Sequence, residues 1–217
     1  MERSSVLDGL GCITGISPDP RHPAAVRVSL DGKITWTVSR RAVDRIGVAA
    51  GMVLDEPLRE ALALAADEEA TWRAILRHLE RRPFARGDLG RRLRLRAHPP
   101  AAVEAALARA EDAGLLDDLK FARSYAETRA QRGRGPARLR ADLSQLRVAS
   151  AIVDQVIAEL WPDGEGVDEM VRALASKRVG QLEGLPREVR RRRVLAYLAR
   201  RGFSGPRTRH VVMELTG

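Results

Sequence analysis

The first part of the chain carries apolar side chains at every second position, a period that indicates β-strands. Two such runs flank an Asp31-Gly32 pair, namely Ala24, Val26 and Val28 and then Ile34, Trp36 and Val38. We expect a hairpin closed by a three-residue loop from Leu30 to Gly32, with Gly32 left-handed, because this loop places both apolar sets on one face. A two-residue loop would instead pair Ile34 with Ser29 and put the two sets on opposite faces.

The three-residue loop pairs Val28 with Ile34. A third strand is expected over residues 10 to 16, a short helix capped by Ser39 is expected to run through Ile46, and residues 47 to 56 are expected to form a loop. Residues 1–64 form this N-terminal module and carry eight basic and eight acidic side chains. An electroneutral module is more typical of a docking or covering element than of a nucleic-acid reader.

From about residue 67 onward the apolar spacing becomes helical and repeats along the chain. Four apolar residues recur after 50 positions: Leu89, Leu93, Val103 and Leu107 return as Leu139, Leu143, Val153 and Ile157. A third copy follows after 55 positions, in which Leu143, Val148, Val156 and Leu160 return as Leu198, Phe203, Val211 and Leu215 and Thr208 is the weak match to Val153. The extra residues of the third copy lie before Val194.

The pattern of each copy predicts a long helix, a proline and two shorter helices; the prolines are Pro83, Pro136 and Pro186. The sequence therefore predicts a mainly α protein, with three tandem three-helix bundles of about 50 residues in an elongated array behind the β module. The predicted domains are residues 1–64, 65–116, 117–164 and 165–217. A bundle of this size buries a small core, so we expect neighbouring bundles to stack.

Composition and charge agree with a helical, polyanion-binding protein. Hydrophobic residues make up 44% of the chain but aromatic residues only 4%, which favours packing of aliphatic helices. The 38 basic residues outnumber the 29 acidic ones, giving a net charge of +9, and the whole surplus lies in residues 65–217. A polyanionic partner is expected to meet this part of the chain. Because all but three basic residues are arginine, codon bias is an alternative explanation of that choice.

The sequence offers little for catalysis, so we expect no enzyme activity and no cofactor. The four histidines are scattered over separate elements, and no phosphate-binding glycine loop or nucleophile elbow is present. Asp117 and Asp118 are the best pair of carboxylates, but a helix cap explains them better than acid–base chemistry. A single cysteine, Cys12, excludes an internal disulfide, and no leader or membrane span is recognised. A cytoplasmic monomer is expected.

Residues 114 to 140 concentrate the basic side chains between two predicted helices. Phe121 and Tyr125 form an apolar face on the first helix, Gly133 ends it, and Pro136 begins the second. Helical spacing places Lys120, Arg123 and Arg134 opposite the apolar face, whereas Arg129 and Arg132 fall near it. In the third copy, only Arg192, Arg193 and Arg200 of the arginines at 190–193, 200 and 201 point outward.

The candidate binding residues are thus exposed basic side chains of the second and third bundles: Lys120, Arg123, Arg134, Arg138, Arg140, Arg192, Arg193 and Arg200. Further arginines, Arg91, Arg92, Arg94 and Arg96, lie on the second helix of the first bundle. An alternative is a solvated basic face paired with acids of the third helices, such as Glu104, Glu111 and Asp112. Recurrence in three bundles favours a continuous basic surface.

Three segments carry a resemblance to a known family: GLLDDLKFARSYAETRAQRGRGPARLRADL at 114–143, RRP at 81–83 and RRGF at 200–203. With the β module and three helical repeats, they resemble the RecX family of regulators of the RecA recombinase. The resemblance implies a non-enzymatic inhibitor that binds in the groove of the RecA–DNA filament and damps its ATPase, strand-exchange and coprotease activities. It also implies a role in recombination, DNA repair and the SOS response, and non-specific contact with single- and double-stranded DNA.

Two other functions remain open from the residues alone. A sequence-specific DNA-binding regulator of helix-turn-helix type also has short second helices that carry arginine. It would need base-reading Asn and Gln on those helices, where Gln145 stands nearly alone. A purely protein-binding scaffold would direct the basic surface at acidic groups of its partner, and its binding would persist at high salt.

Overall fold

The computed structural model describes residues 11–164 and 166–217, which form three strands followed by ten α-helices. The strands are β1 (Ile13–Pro18), β2 (Ala25–Leu30) and β3 (Lys33–Ser39). The helices are α1 (Arg40–Ile46), α2 (Glu56–Leu79), α3 (Arg86–Arg94), α4 (Pro100–Asp112), α5 (Asp118–Ala130), α6 (Pro136–Gln145), α7 (Ser150–Leu160), α8 (Val167–Gly180), α9 (Arg187–Arg201) and α10 (Pro206–Thr216). The mainly helical fold with a small β module in front is confirmed.

The chain divides into two compact units. The first comprises the described residues up to Pro83 together with Leu89–Leu116, and the second comprises Phe84–Asp88 together with Asp117–Gly217. The sheet and α1, α2 and α4 therefore belong to the first unit, and α5 to α10 belong to the second. Helix α3 is shared, because its first residues belong to the second unit and the rest to the first.

The sheet is antiparallel in the order β1-β2-β3, and its hairpin differs from the expected one. A two-residue turn at Asp31 and Gly32, both with positive φ, pairs Ser29 with Ile34. The predicted three-residue loop is therefore wrong, although Gly32 is left-handed as expected. A bulge after Ile34 shifts the register, so that Val28 pairs with Trp36 instead of Ile34. The apolar residues of both strands therefore still lie on one face of the sheet, although Ile34 itself is exposed.

The third strand, expected at residues 10 to 16, is β1; Leu10 lies outside the described residues, and the strand ends two residues later than expected. The side chain of Ser39 accepts a hydrogen bond from the N–H of Ala42, so it caps α1 as predicted, and α1 ends at Ile46. Helix α2 begins at Glu56 rather than near residue 67, because Asp55 caps it and a proline fits its first turn.

Helix α2 closes the core of the β module. Leu62 and Ala65 are buried with Val28 and Val38 of the sheet. The predicted domain boundary after residue 64 therefore falls within a helix whose buried residues on both sides of that point share one core. Residues 1–10 of the predicted first domain lie outside the described residues.

The remaining helices form three triplets: α2 to α4, α5 to α7 and α8 to α10. Most of the repeated apolar residues are buried between the helices of their triplet. On the second helix of each triplet, the first repeated apolar residue is Leu89, Leu139 or Val194, and none of these has exposed surface. The next repeated residue is Leu93, Leu143 or Leu198, which are also fully buried. Thr208 is buried in the third copy, with its hydroxyl donating to the carbonyl oxygen of Ser204 at 3.4 Å. The three helical repeats are confirmed.

The triplets α5–α7 and α8–α10 meet through backbone within the second unit. The N–H of Gly135 donates to the carbonyl oxygen of Arg201 at 2.7 Å, and the N–H of Ala137 donates to that of Gly202 at 3.3 Å. Gly135 and Gly202 leave no room for side chains: a Cβ on Gly135 would lie 2.7 Å from the carbonyl oxygen of Gly202, and one on Gly202 would collide with Arg138. The start of α6 is thus held against the end of α9.

Candidate polyanion-binding surface

Arg123 on α5 is held by an acid of α7. Asp117 caps α5 by accepting from the N–H of Lys120 at 2.8 Å, as predicted, and the exposed face that follows carries Lys120 and Arg123. The Nε and Nη2 of Arg123 donate to the two carboxylate oxygens of Glu159 at 2.8 and 2.7 Å. These bonds, with one from Gln155, lower the pKa of Glu159 to about 2. Two of the five N–H donors of Arg123 are thus directed at an acid of the same chain.

The rest of this face is balanced in charge. Arg140 of α6 donates to Asp154 of α7 at 3.3 Å, and both side chains are exposed. Lys120 lies in a shallow depression on α5 whose lining includes the acidic side chains of Asp117 and Glu127. In the first unit, Arg94 pairs with Glu104. The predicted alternative, in which arginines of the second helices pair with acids of the third, is therefore confirmed for Arg94 and Arg140, and Arg123 of a first helix makes a pair of the same kind.

A second depression differs, because each of the described residues that line it is an arginine. We call it the arginine depression; its lining residues are Arg132, Arg134, Arg138, Arg200 and Arg201. The first three come from the turn after α5 and from α6, and the last two from the end of α9. Its volume of about 580 Å³ is within the range typical of small-ligand pockets. The structure thus brings together Arg134, Arg138 and Arg200 of the predicted binding residues.

One buried carboxylate organises two of these arginines. Arg134 donates through Nη1 to Oδ2 of Asp142 at 2.8 Å, and Arg138 contacts Oδ1 of the same residue through Nε at 3.0 Å. Only 8% of the Asp142 side chain is exposed, against 39% for Arg134 and 45% for Arg138. Arg134 uses one of its five N–H donors on Asp142, and Arg138 makes only an ion pair there, so Asp142 leaves most donors of both guanidinium groups unoccupied.

Arg201 is placed by the backbone of the neighbouring triplet. Its Nη1 donates to the carbonyl oxygens of Arg132 at 2.8 Å and Gly133 at 3.2 Å, and its guanidinium carbon lies 4.9 Å from the ring centre of Tyr197. The positive φ of Gly133 turns the chain at this point, and a Cβ there would lie 2.8 Å from Nη1 of Arg201. The arginine is therefore fixed across the junction of the two triplets without a carboxylate partner among these contacts.

Arg192, Arg193 and Arg200 are exposed on α9, as predicted. Within the part of the chain that the structure describes, no carboxylate lies within ion-pair distance of these three side chains or of Arg132. The positive charge of these four exposed side chains is therefore not offset by an ion pair within the described residues.

Two residues of the arginine depression, Arg132 and Arg201, are not among the binding residues predicted from the sequence. Helical spacing places Arg132 near the apolar side, but α5 ends at Ala130, so this spacing does not apply to the exposed Arg132. Arg201 is not one of the arginines predicted to point outward; the structure leaves it half-buried, with its side chain reaching across to the preceding triplet. Its cue in the sequence is the Arg201-Gly202 pair, because a glycine after a helix allows another backbone to approach closely.

The remaining acidic and histidine side chains considered for catalysis have ordinary structural partners. Asp118 accepts from the N–H of Arg86 at 2.7 Å, beside the Asp117 cap. Nδ1 of His98 lies 2.9 Å from the hydroxyl of Thr71. Burial lowers the pKa of His98, and the positive charge of Arg77 lowers it further. Among the described residues, no cluster of His, Cys, Asp or Glu has the arrangement of a metal site. Over the same residues, no helix combines the length and hydrophobicity needed to cross a bilayer.

Comparison with known families identifies two of the triplets. Residues 117–157 match the model described as "RecX, second three-helix domain", and residues 167–212 match "RecX, third three-helix domain". The match over 117–157 covers Lys120, Arg123, Arg134, Arg138 and Arg140, and the match over 167–212 covers Arg192, Arg193 and Arg200. Every arginine of the arginine depression lies within one or the other.

Several curated relatives are also RecX proteins. "Regulatory protein RecX" of Halorhodospira halophila is 34% identical over 145 residues, which are 66% of this chain and 87% of the relative. The protein of that name from Thermobifida fusca is 38% identical over 155 residues, covering 70% of this chain and 82% of the relative. That from Streptomyces coelicolor is 37% identical over 145 residues, covering 65% and 76%.

Solved structures share the fold. The crystal structure of a regulatory protein RecX superposes with a TM-score of 0.75 at 24% identity, covering 95% of this chain and 98% of that chain. The crystal structure of RecX from Lactobacillus salivarius gives a TM-score of 0.59 at 21% identity, covering 69% and 96%. The likeness spans nearly the whole of the first of these proteins.

Proposed function

Because this chain belongs to the RecX family of regulatory proteins, we propose that it binds the filament that the RecA recombinase forms on DNA and inhibits it. In this proposal the protein lies in the filament groove and lowers the ATPase, strand-exchange and coprotease activities of the recombinase. It acts by binding rather than by catalysis, as a monomer in the cytoplasm, and so takes part in recombination, DNA repair and the SOS response.

The observation that carries the proposal, beside family membership, is the position of the positive charge. The net surplus lies in residues 65–217, and the structure gathers five arginines of that region around one depression. A nucleoprotein groove presents both phosphates and carboxylates, and the planar fork of arginine binds either group through two hydrogen bonds. An arginine-rich surface therefore suits a partner made of protein and DNA together.

The proposed contacts are the eight basic residues selected from the sequence: Lys120, Arg123, Arg134, Arg138, Arg140, Arg192, Arg193 and Arg200. We rank them by the ion pairs that they already make. Arg123 and Arg140 each bind a carboxylate of α7, Arg134 and Arg138 share the one carboxylate of Asp142, and Arg193 and Arg200 are exposed without such a partner among the described residues. We therefore assign the main electrostatic role to Arg193 and Arg200 of α9, followed by the arginines of the depression.

The test is inhibition of the DNA-dependent ATPase of RecA by the purified protein. Wild type should inhibit, and the charge-reversed variant Arg193→Glu with Arg200→Glu should need at least about tenfold more protein for the same inhibition, since each lost contact to a charged group is worth about 1.5 kcal/mol or more. Arg187→Glu with Arg209→Glu makes the same charge change at exposed positions that are not among the eight proposed contacts, and it is the control. Equal inhibition by both variants and the wild type would remove the proposed role of α9.

The binding mode is tested separately by gel shift on the same filaments and on duplexes of varied sequence. Affinity that depends on one DNA sequence and not on RecA would contradict filament regulation and favour a helix-turn-helix regulator. Binding that persists unchanged from low to high salt would favour a scaffold for acidic protein segments, because release of counterions from phosphates makes binding strongly dependent on salt.

A further inference from the structure

We propose that the arginine depression binds neighbouring phosphate groups of one nucleic-acid strand, and that the bound strand couples the triplets α5–α7 and α8–α10. This inference rests on the polyanionic partner of the proposed function and specifies the ligand of one site within it. It adds a consequence for the protein itself: the site is complete only while the two triplets are docked, so ligand binding and docking stabilise each other.

The division of the five arginines between the triplets carries the first half of the proposal. Arg132, Arg134 and Arg138 belong to the first triplet, and Arg200 and Arg201 to the second. Among the described residues, Asp142 is the one carboxylate within ion-pair distance of these five arginines, through Arg134 and Arg138, which leaves a strong local excess of positive charge. Neither triplet alone carries the complete set.

The geometry favours a phosphate strand over other anions. Arg134, Arg138 and Arg201 are already held in place by Asp142 and by backbone carbonyl groups, so little side-chain entropy is lost when they bind a ligand. A depression of about 580 Å³ surrounded by five guanidinium forks has room and donors for more than one phosphate. A strand supplies such groups at regular spacing, whereas an isolated phosphate would use only part of the set.

The contact between the triplets carries the second half. Gly135 has φ −85° and ψ 171°, a conformation open to any residue, so only the close approach of Gly202 and Phe203 requires glycine there. A Cβ on Gly135 would lie 2.7 Å from the carbonyl oxygen of Gly202 and from the ring of Phe203. The relative positions of Arg138 and Arg200 therefore depend on backbone contact with no spare space.

The site is tested with three probes and no recombinase: a fluorescent ten-nucleotide oligothymidylate, inorganic tripolyphosphate and a polyglutamate peptide. Arg132→Ala with Arg200→Ala should weaken oligonucleotide binding by about tenfold or more. It should also reduce the slope of log affinity against log salt by about 1.4, since each strand contact contributes about 0.7. Arg187→Ala with Arg209→Ala, matched in charge but outside the depression, should lose less than half as much.

Each outcome of this comparison decides the question. Equal losses in the two double variants would overturn the site, because charge at any position would then suffice. Binding of polyglutamate as tight as that of the oligonucleotide would overturn the phosphate assignment in favour of an acidic protein segment. Tripolyphosphate that binds more tightly than the oligonucleotide, at equal salt, would overturn the strand in favour of a free nucleotide or polyphosphate.

The coupling is tested by Gly135→Ala, which keeps all five arginines but wedges the triplets apart. It should lose oligonucleotide affinity to about the same extent as Arg132→Ala with Arg200→Ala, whereas Gly180→Ala, whose Cβ would meet nothing closer than 3.9 Å, should bind normally. In the wild type, oligonucleotide should slow hydrogen exchange at the N–H of Gly135, which bonds across the junction. Normal affinity in a folded Gly135→Ala variant, or unchanged exchange at saturation, would refute the coupling.

These measurements are independent of the inhibition assay. If the oligonucleotide fails to bind but RecA is inhibited, the phosphate site is wrong and the proposed function stands. If the oligonucleotide binds as described but RecA is unaffected, the site stands and the filament partner is wrong.

Discussion

The N–H of Gly135 donates a 2.7 Å hydrogen bond to the carbonyl oxygen of Arg201, and this bond joins the start of α6 to the end of α9. A related contact lies elsewhere in the second unit, where Gly87 at the start of α3 lies against the backbone of Arg147 just after α6. Arg147 and Gly202 are 55 positions apart and both have positive φ. The repeats thus place the start of one second helix against the end of the next.

Gly87→Ala should lower the free energy of unfolding by about 1–3 kcal/mol, the cost typical of overpacking. Its new Cβ would lie 2.5 Å from Cβ of Arg147 and 2.7 Å from that residue's carbonyl oxygen. Helix propensity favours the change by up to about 1 kcal/mol, so the sign of the result separates the two effects. Urea unfolding measures it, with Gly180→Ala as the control expected to be neutral or stabilising. Equal midpoints for the two variants would contradict the contact.

Glu159 should titrate with a midpoint near 2, because Arg123 and Gln155 donate hydrogen bonds to its charged form. A depressed pKa means that this pair stabilises the folded protein above the ordinary value of 4.5 and that its contribution disappears as the pH falls from there toward 2. Carboxyl NMR shifts in wild type and Arg123→Ala measure the midpoint, which should rise toward 4.5 in the variant. A midpoint unmoved by the substitution would show that the pair does not persist in solution.

Asp19 should make the stability of the first unit depend on pH in the acidic range. Its pKa is lowered first by the N–H of Arg21 and then by Arg27 and Arg73, so its contribution is complete above the ordinary value of 3.8 and is lost below it. We expect Asp19→Asn to destabilise the protein at pH 7 and to differ little from wild type once the pH is well below 3.8. Thermal unfolding between pH 2.5 and 7 measures this. A difference that grows toward low pH would contradict the assignment.

The triplets should unfold in separate steps, because each buries a small core of its own and depends on neighbours for the rest. The predicted segments 65–116, 117–164 and 165–217 serve as the units for this measurement. Native-state hydrogen exchange under increasing denaturant should show protection lost in steps of triplet size. Equal protection and a single coincident transition across all three segments would exclude this behaviour.

The helical repeats were predictable because burial imposes a period on the sequence. Leu93, Leu143 and Leu198 occupy one position of the fold and are fully buried in every copy, so they appear as equally spaced apolar residues. The hairpin register was not predictable, since a bulge after Ile34 allows a two-residue turn to give the same facing of Val28 and Trp36 as a longer loop.

The proposed binding surface was predictable only in part, for a physical reason. Helical spacing correctly identified Arg193 and Arg200 as exposed, because exposure follows from the helix itself. It could not show that Arg123 is paired with Glu159, 36 residues away, or that Arg201 reaches the carbonyl oxygen of Arg132, because those contacts depend on how separate helices pack. Local periodicity reports which face of a helix is exposed, whereas a site built from two triplets depends on tertiary contacts.

Asp142→Asn should separate stability from binding. The buried carboxylate contacts both Arg134 and Arg138, so its loss should lower the free energy of unfolding by about 2 kcal/mol, the value of a hydrogen bond to a charged group. The same change removes a negative charge that pairs with two arginines of the depression, so we expect oligonucleotide to bind several-fold more tightly at low salt. Urea unfolding and fluorescence anisotropy measure the two effects on one preparation. Weaker binding by a folded Asp142→Asn variant would mean that the carboxylate serves mainly to position Arg134 and Arg138, whereas tighter binding with lower stability would show that it competes with the ligand for them.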